Sequence, residues 1–233
     1  MINTNDRKGM NGVENMELFV KGSVMPYVSR GGLKLEKALK YFDITMTDRV
    51  MVDIGSSTGG FTDCALQNKA KRVYAVDVGT NQLVWKLRND SRVVVKEKTN
   101  FRHATTDLFE YELPNIATID VSFISLKLIF EPLKDILNDG DDIVALIKPQ
   151  FEAGREDVGK KGIVKDAKIH QRVIENVISY ANECQFSIQN LTYSPITGGE
   201  GNIEFLAHFK VGGTNSLLQV EQVVQEAHDC FKG

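Results

Sequence analysis

Residues 50–77 hold the pattern that most restricts what this chain can fold into. An apolar run, Val50-Met51-Val52-Asp53-Ile54, stops at Gly55-Ser56-Ser57-Thr58-Gly59-Gly60, and a helix-compatible stretch begins at Phe61. A second apolar run, Val73-Tyr74-Ala75-Val76, then ends in Asp77. The pattern reads as buried strand, tight turn, helix and second strand, the opening unit of a parallel sheet. Glycines at such a turn let the backbone approach a ligand closely, and free amides at the helix N-terminus face it. A carboxylate closing the second strand is placed to accept the hydroxyls of a ribose.

The residues that are missing narrow the ligand. A dinucleotide fingerprint needs G-x-G-x-x-G, and its middle glycine is replaced by Ser57. A phosphate loop needs Gly-Lys-Ser/Thr at its end, and here Gly60 is followed by Phe61. The later stretch Gly154 to Lys161 lacks the closing Ser/Thr and opens no helix, so it is declined as a phosphate loop as well. Asp53 would repel a pyrophosphate but suits a cationic amino-acid group. Acid, glycine turn and second acid together fit S-adenosylmethionine better than NAD or ATP.

Elements alternate along the chain. Leu35, Ala38, Leu39 and Phe42 share one helix face, and strands are expected near 49–54, 71–77, 92–95, 115–120 and 142–148. Helices are expected near 60–69, 80–88 and 125–137. Asp166 is placed to cap a helix reaching about Glu183, and two strands near 186–194 and 202–210 precede a terminal helix. This order predicts an α/β fold of Rossmann type, a mostly parallel seven-stranded sheet with helices on both faces and a late antiparallel strand. Residues 1–26 read as a flexible tail and linker, and 27–233 as one domain.

The 233 residues are 42% hydrophobic and 25% charged, enough for one sizeable core. No apolar run reaches bilayer length and the N-terminus does not read as a signal peptide. Cys64, Cys184 and Cys230 lack metal or redox spacing, which points to reduced thiols, a cytoplasmic setting and no bound metal. The net charge is −3, but basic residues cluster at Arg30, Lys34 and Lys37 and again at Lys160, Lys161, Lys165 and Lys168. Both clusters flank the expected site edge, so Arg30, Lys37, Lys160 and Lys161 are candidate nucleic-acid contacts. Ligands of open α/β sheets lie beyond the carboxyl ends of the strands, where Asp120 and Lys148 close the fourth and fifth apolar runs.

Five segments carry a family resemblance: Tyr-Val-Ser-Arg-Gly-Gly-Leu-Lys-Leu (27–35), Asp-Ile-Gly-Ser-Ser-Thr-Gly-Gly-Phe-Thr-Asp (53–63), Ile-Asp-Val-Ser-Phe-Ile-Ser-Leu (119–126), Lys-Pro-Gln-Phe-Glu-Ala-Gly-Arg (148–155) and Glu-Gly-Asn-Ile-Glu-Phe-Leu (200–206). In this order they resemble the TlyA-type family, whose members are named both hemolysins and ribosomal RNA methyltransferases, with a core similar to FtsJ-type ribose methyltransferases. The resemblance implies S-adenosylmethionine-dependent methylation of a ribose 2′-hydroxyl of ribosomal RNA, on the rRNA or on ribosomal subunits. It implies a Lys-Asp-Lys-Glu tetrad at Lys34, Asp120, Lys148 and Glu204, with neutral Lys148 taking the hydroxyl proton. Asp53, Gly55, Ser56, Gly59, Gly60, Phe61 and Asp77 are expected around the cofactor, with Asn100 beside its adenine. Family members usually begin with an S4-type RNA-binding domain, and only a short tail is expected before Tyr27. Two other classes remain: a membrane-active hemolysin, which needs an apolar span or basic amphipathic helix, and a cofactor-binding module without catalysis.

Overall fold

The structure is a computed structural model and describes residues 24–232. The expected tail therefore lies outside the described residues up to position 23. Helix α1 (Gly31–Tyr41) precedes β1 (Val50–Ile54), α2 (Gly60–Gln67), β2 (Arg72–Val76), α3 (Trp85–Arg88), β3 (Val93–Lys96) and β4 (Ile116–Ile119). Then come α4 (Lys127–Leu133), β5 (Asp142–Ile147), α5 (Pro149–Glu152), α6 (Ala167–Glu183), β6 (Phe186–Tyr193), β7 (Phe205–Val211) and α7 (Val220–Cys230).

The strands form one sheet in the order β3-β2-β1-β4-β5-β7-β6. Strands β3 to β5 run parallel, and β7 pairs antiparallel with both β5 and β6. Strand β1 is buried on both faces, as the unbroken apolar run requires. Val52 and Ile54 face a layer built from α4, α6 and α7 through Phe130, Val173, Val177 and Ala227. Met51 faces the opposite layer, where α1 and α2 bring Leu35, Ala38, Phe61 and Cys64. The chain leaves β1 for β2 on one side and later returns to β4 on the other. A crevice opens at that reversal, beyond the carboxyl ends of β1 and β4.

Three element boundaries differ from expectation. The helix expected at 80–88 is only the turn Trp85–Arg88, because Asn81 takes a left-handed φ of 56° and residues 78–84 wrap the crevice instead. Helix α4 ends at Leu133, because the amides of Asp135 and Ile136 turn to carbonyls three residues back, Pro132 and Leu133, and tighten the chain out of the helix. The last strand starts at Phe205, because the Asn202 backbone closes a turn, its amide bonded to the Gly199 carbonyl and its carbonyl to the Gly198 amide. The Asp166 cap forms as expected, its carboxylate accepting from the Lys168 amide at 2.8 Å.

Candidate active site

The glycine turn is organised by backbone geometry before any ligand is considered. Gly55 has φ +84°, and a Cβ there would stand 2.1 Å from the Asp120 carbonyl oxygen, so no other residue fits. The Gly55 and Ser56 amides both donate to the Val76 carbonyl, at 2.9 and 3.0 Å, which pins the turn to β2. Asp77 closes β2 and accepts from the Ser57 amide and the Gly79 amide, each at 2.8 Å. Its carboxylate thus shapes both loops of the crevice, and each oxygen keeps lone-pair capacity for a further donor. The resulting cleft holds about 400 Å³. Val76, Phe101, Val121, Ile124 and Ile129 supply apolar wall, and Ser57, Asp77, Asn100 and Asp120 the polar groups.

Of the eight residues expected around a cofactor, Gly55, Asp77 and Asn100 line this cleft. Asn100 is exposed, and its side chain accepts from the Arg102 amide. The other five lie behind the cleft wall. Asp53 is fully buried, with its carboxyl accepting from Thr62 Oγ1 at 2.7 Å and Thr118 Oγ1 at 3.2 Å. Burial pushes its pKa up to about 7, helped by the charges of Asp120 and Asp77 and opposed by the two hydroxyl donors. Ser56 is buried and its carbonyl takes the Gly59 amide. Gly59 makes room for Leu83 and Leu87, Gly60 for Ser29 and the Gly32 backbone, and Phe61 packs in the core. These residues seat α1 against α2 and hold the turn from beneath. Ser57, which does line the cleft, was not foreseen, because its left-handed φ of 49° has no sequence signature in a serine.

Beside this cleft the strand ends assemble a second pocket, of about 380 Å³. Ile147 pairs with Phe205 across the antiparallel β5–β7 ladder, so the next residue outward on each strand, Lys148 and Glu204, reaches the same rim. Lys148 Nζ sits 2.6 Å from Asp120 Oδ1 and donates to Ser122 Oγ at 3.2 Å. Lys34, on the inner face of α1, meets Glu204 Oε2 at 2.9 Å, with side chains only 10% and 2% exposed. The four tetrad positions thus form two ion pairs: Lys148 and Glu204 line the pocket, Asp120 lines the neighbouring cleft, and buried Lys34 stands behind Glu204. Removing one partner of the buried Lys34–Glu204 pair strands a charge, at a cost of about 3–5 kcal/mol.

Neighbouring residues fix the rim. Phe123 has φ +63° and is 90% exposed, an unusual state for a large aromatic residue. Its ring centroid lies 4.8 Å from that of Phe151, and Ser122 and Phe123 border both the cleft and the pocket. Glu152 ties the loop after β4 to α5, accepting from Ser125 Oγ at 2.7 Å and the Leu126 amide at 2.8 Å, and burial raises its pKa. Asn202 accepts from the Val164 amide and donates to the Gly162 and Gly199 carbonyls, stapling the lysine-bearing loop to the approach to Glu204.

The model of the FtsJ-like methyltransferase family matches residues 27–211. The chain belongs to that family. It is 56% identical to YqxC of Bacillus subtilis, provisionally named an rRNA methyltransferase, over 97% of this chain and 83% of that protein. It is 41% identical to the 16S/23S rRNA (cytidine-2'-O)-methyltransferase TlyA of Mycobacterium tuberculosis, over 80% of this chain and 69% of that one. A solved structure of a provisionally named hemolysin from Streptococcus thermophilus superposes with a TM-score of 0.88 at 56% identity, covering 91% of this chain and 78% of that one. Among the described residues no helix is long and apolar enough to cross a membrane.

The basic residues of this FtsJ-like methyltransferase divide into two kinds. Arg30, Lys160 and Lys161 are exposed, and Lys161 lines the pocket of Lys148 and Glu204. Lys37 is different: its ammonium donates to the Tyr193 carbonyl at 2.6 Å and lies 3.6 Å from the Tyr193 ring centroid. These contacts join α1 to β6, and partial burial there lowers its pKa.

Proposed function

We propose that this FtsJ-like methyltransferase uses S-adenosylmethionine to methylate a ribose 2′-hydroxyl of ribosomal RNA. The observation that carries the reading is the contiguity of two sites: the cleft under Asp77 shares Ser122 and Phe123 with the pocket that Lys148 and Glu204 line, and these two carry ion pairs to Asp120 and Lys34. Relatives named for rRNA methylation supply the substrate class.

The cleft suits the cofactor. Asp77 offers acceptor capacity for ribose hydroxyls, Phe101 and Ile129 an apolar wall for a purine, and Asp120 a carboxylate toward a cation. Gly55 leaves the backbone bare where a side chain would intrude. When bound, S-adenosylmethionine supplies an electrophilic methyl group. The chain must then prepare the nucleophile, since a ribose hydroxyl is weak until its proton leaves. In this reading Lys148, relieved of one proton, takes the hydroxyl proton, and Asp120 holds the resulting ammonium. Lys34, anchored on Glu204, places a positive charge beside the oxygen that becomes anionic. Phe123 and Phe151 offer a stacking surface for the base, and Lys160, Lys161 and Arg30 meet phosphates.

The test is replacement of Lys148. Lys148→Arg retains the charge, but a guanidinium cannot serve as a base near neutral pH. Labelled S-adenosylmethionine and ribosomal subunits are expected to show transfer falling at least about a hundredfold, the usual worth of general-base catalysis. Cofactor affinity by calorimetry is expected to stay unchanged. Near-wild-type transfer by Lys148→Arg would reduce Lys148 to a positioning charge.

A further inference from the structure

The two rings at the rim stand on different elements, Phe151 on α5 and Phe123 on the loop that follows β4. That loop has little backbone support. The Asp120 amide reaches the Ile54 carbonyl at 2.9 Å, but among the described residues no backbone carbonyl receives the amides of Val121 to Ile124. Phe123 also holds a left-handed φ of 63°, which a large side chain rarely adopts unless its surroundings impose it. The next fixed point along the chain is set by Glu152, the last residue of α5. Its Oε1 accepts from the Leu126 amide at 2.8 Å and its Oε2 from Ser125 Oγ at 2.7 Å. A carboxylate accepts on both oxygens, so one side chain grips two successive residues of the loop. The residue before Glu152 is Phe151, the ring that meets Phe123. Glu152 thus ties both halves of the aromatic pair together.

We infer that Glu152 is a positioning residue for methyl transfer, holding Phe123 against Phe151 so that the pair presents one stacking surface to the RNA. This rests on the reaction proposed above. Glu152 lines neither the cleft nor the pocket, so it acts through the loop and not on a reactant. The loop it grips borders both: Val121, Phe123 and Ile124 face the cleft, and Ser122 and Phe123 face the pocket of Lys148. Stacking tolerates any base but requires a ring at a fixed place, and an exposed ring on an unsupported loop keeps its place only if something holds the loop. The two bonds from Glu152 supply that hold.

The experiment measures KM for unmodified ribosomal subunits at saturating labelled S-adenosylmethionine, using the full chain. Glu152→Ala and Glu152→Gln are each made alone and together with Phe123→Ala. Glu152→Ala is expected to raise KM about tenfold, a share of the worth of stacking one base on an aromatic ring. Glu152→Gln keeps an oxygen for the Leu126 amide and turns an N–H to Ser125 Oγ, so its KM is expected within about twofold of the wild type. With Phe123→Ala in place the ring to be held is gone, and Glu152→Ala is then expected to change KM by less than about twofold. Should Glu152→Ala not fold, Ser125→Ala removes one of the two bonds and carries the same comparison, with KM expected to rise about threefold. An equal rise with and without the Phe123 ring would show that Glu152 supports only the fold. An unchanged KM would remove it from the reaction, and a Glu152→Gln variant as poor as Glu152→Ala would mean that its charge matters and not its grip. Each of these overturns the inference while wild-type transfer stands. A wild-type protein that methylates no ribosomal RNA would overturn it together with the reaction on which it rests.

Discussion

At the scale of single residues, the floor of the glycine turn sets a pH dependence. Asp53 has no solvent contact and a pKa pushed up to about 7. A folded-state value above the ordinary carboxylate value means that the folded chain holds this proton more tightly than the unfolded chain. Its contribution to stability is then full below about pH 4, the unfolded carboxylate value, and lost as pH rises through 7. Asp53→Asn keeps the shape and cannot ionise. The unfolding free energy of the wild type relative to this variant, from denaturant titration, is expected to fall between pH 4 and 7 by an amount on the order of a few kcal/mol. A difference that stays flat across that range would mean that Asp53 ionises freely in the fold. The same residue shows what a motif conceals. An acid at the end of β1 was legible in the sequence, but its direction was not, because Thr62 and Thr118 that turn it inward stand 9 and 65 positions away. Asp77 was legible in place, since closing a strand at the crevice leaves a carboxylate one direction to face.

At the scale of elements, the docking of α7 rests on a histidine pair. His170 Nε2 lies 2.9 Å from the Val164 carbonyl, which can only accept, so Nε2 carries the hydrogen. His170 Nδ1 then accepts from His228 Nε2 at 2.8 Å, joining α6 to α7. Burial depresses the His170 pKa to about 4, and burial also lowers that of His228, followed by the charge of Lys232. A depressed histidine contributes stability that is present above about pH 6.5 and lost as pH falls toward 4. Amides of Val220 to Cys230 are expected to lose exchange protection over that interval before those of β1 and β4 do. Equal protection of α7 at pH 7 and 4.5, corrected for intrinsic rates, would contradict it. Helix α6 itself was readable, because Asp166 caps it and Val173, Ile174, Val177 and Ala181 repeat at helical spacing. The stretch 80–88 misled because Leu83 and Leu87 pack beneath Gly59 from a loop and from the single turn of α3, too short a stretch to carry a helical period.

At the scale of the whole molecule, sheet order makes the site. Placing β1 beside both β2 and β4 opens the cleft, and inserting β7 antiparallel beside β5 brings Glu204 to Lys148. Alternating apolar runs were enough to foresee the sheet, and Asp120 and Lys148 stood out as charges closing buried strands. Lys34 and Glu204 came only from resemblance: one lies on a helix and the other before an edge-side strand, 170 positions apart, and only tertiary packing joins them. Asn202 was missed because its side chain bonds Val164 and Gly162, 38 and 40 positions away, and Ser57 because a left-handed serine leaves no mark in the sequence. The most direct measurement of the central claim is to incubate the chain with methyl-labelled S-adenosylmethionine and ribosomal subunits lacking its modification, then to digest the rRNA. The label is expected in a 2′-O-methyl nucleoside, recovered as an alkali-resistant dinucleotide. Label on a base, or no transfer to either subunit, would contradict it.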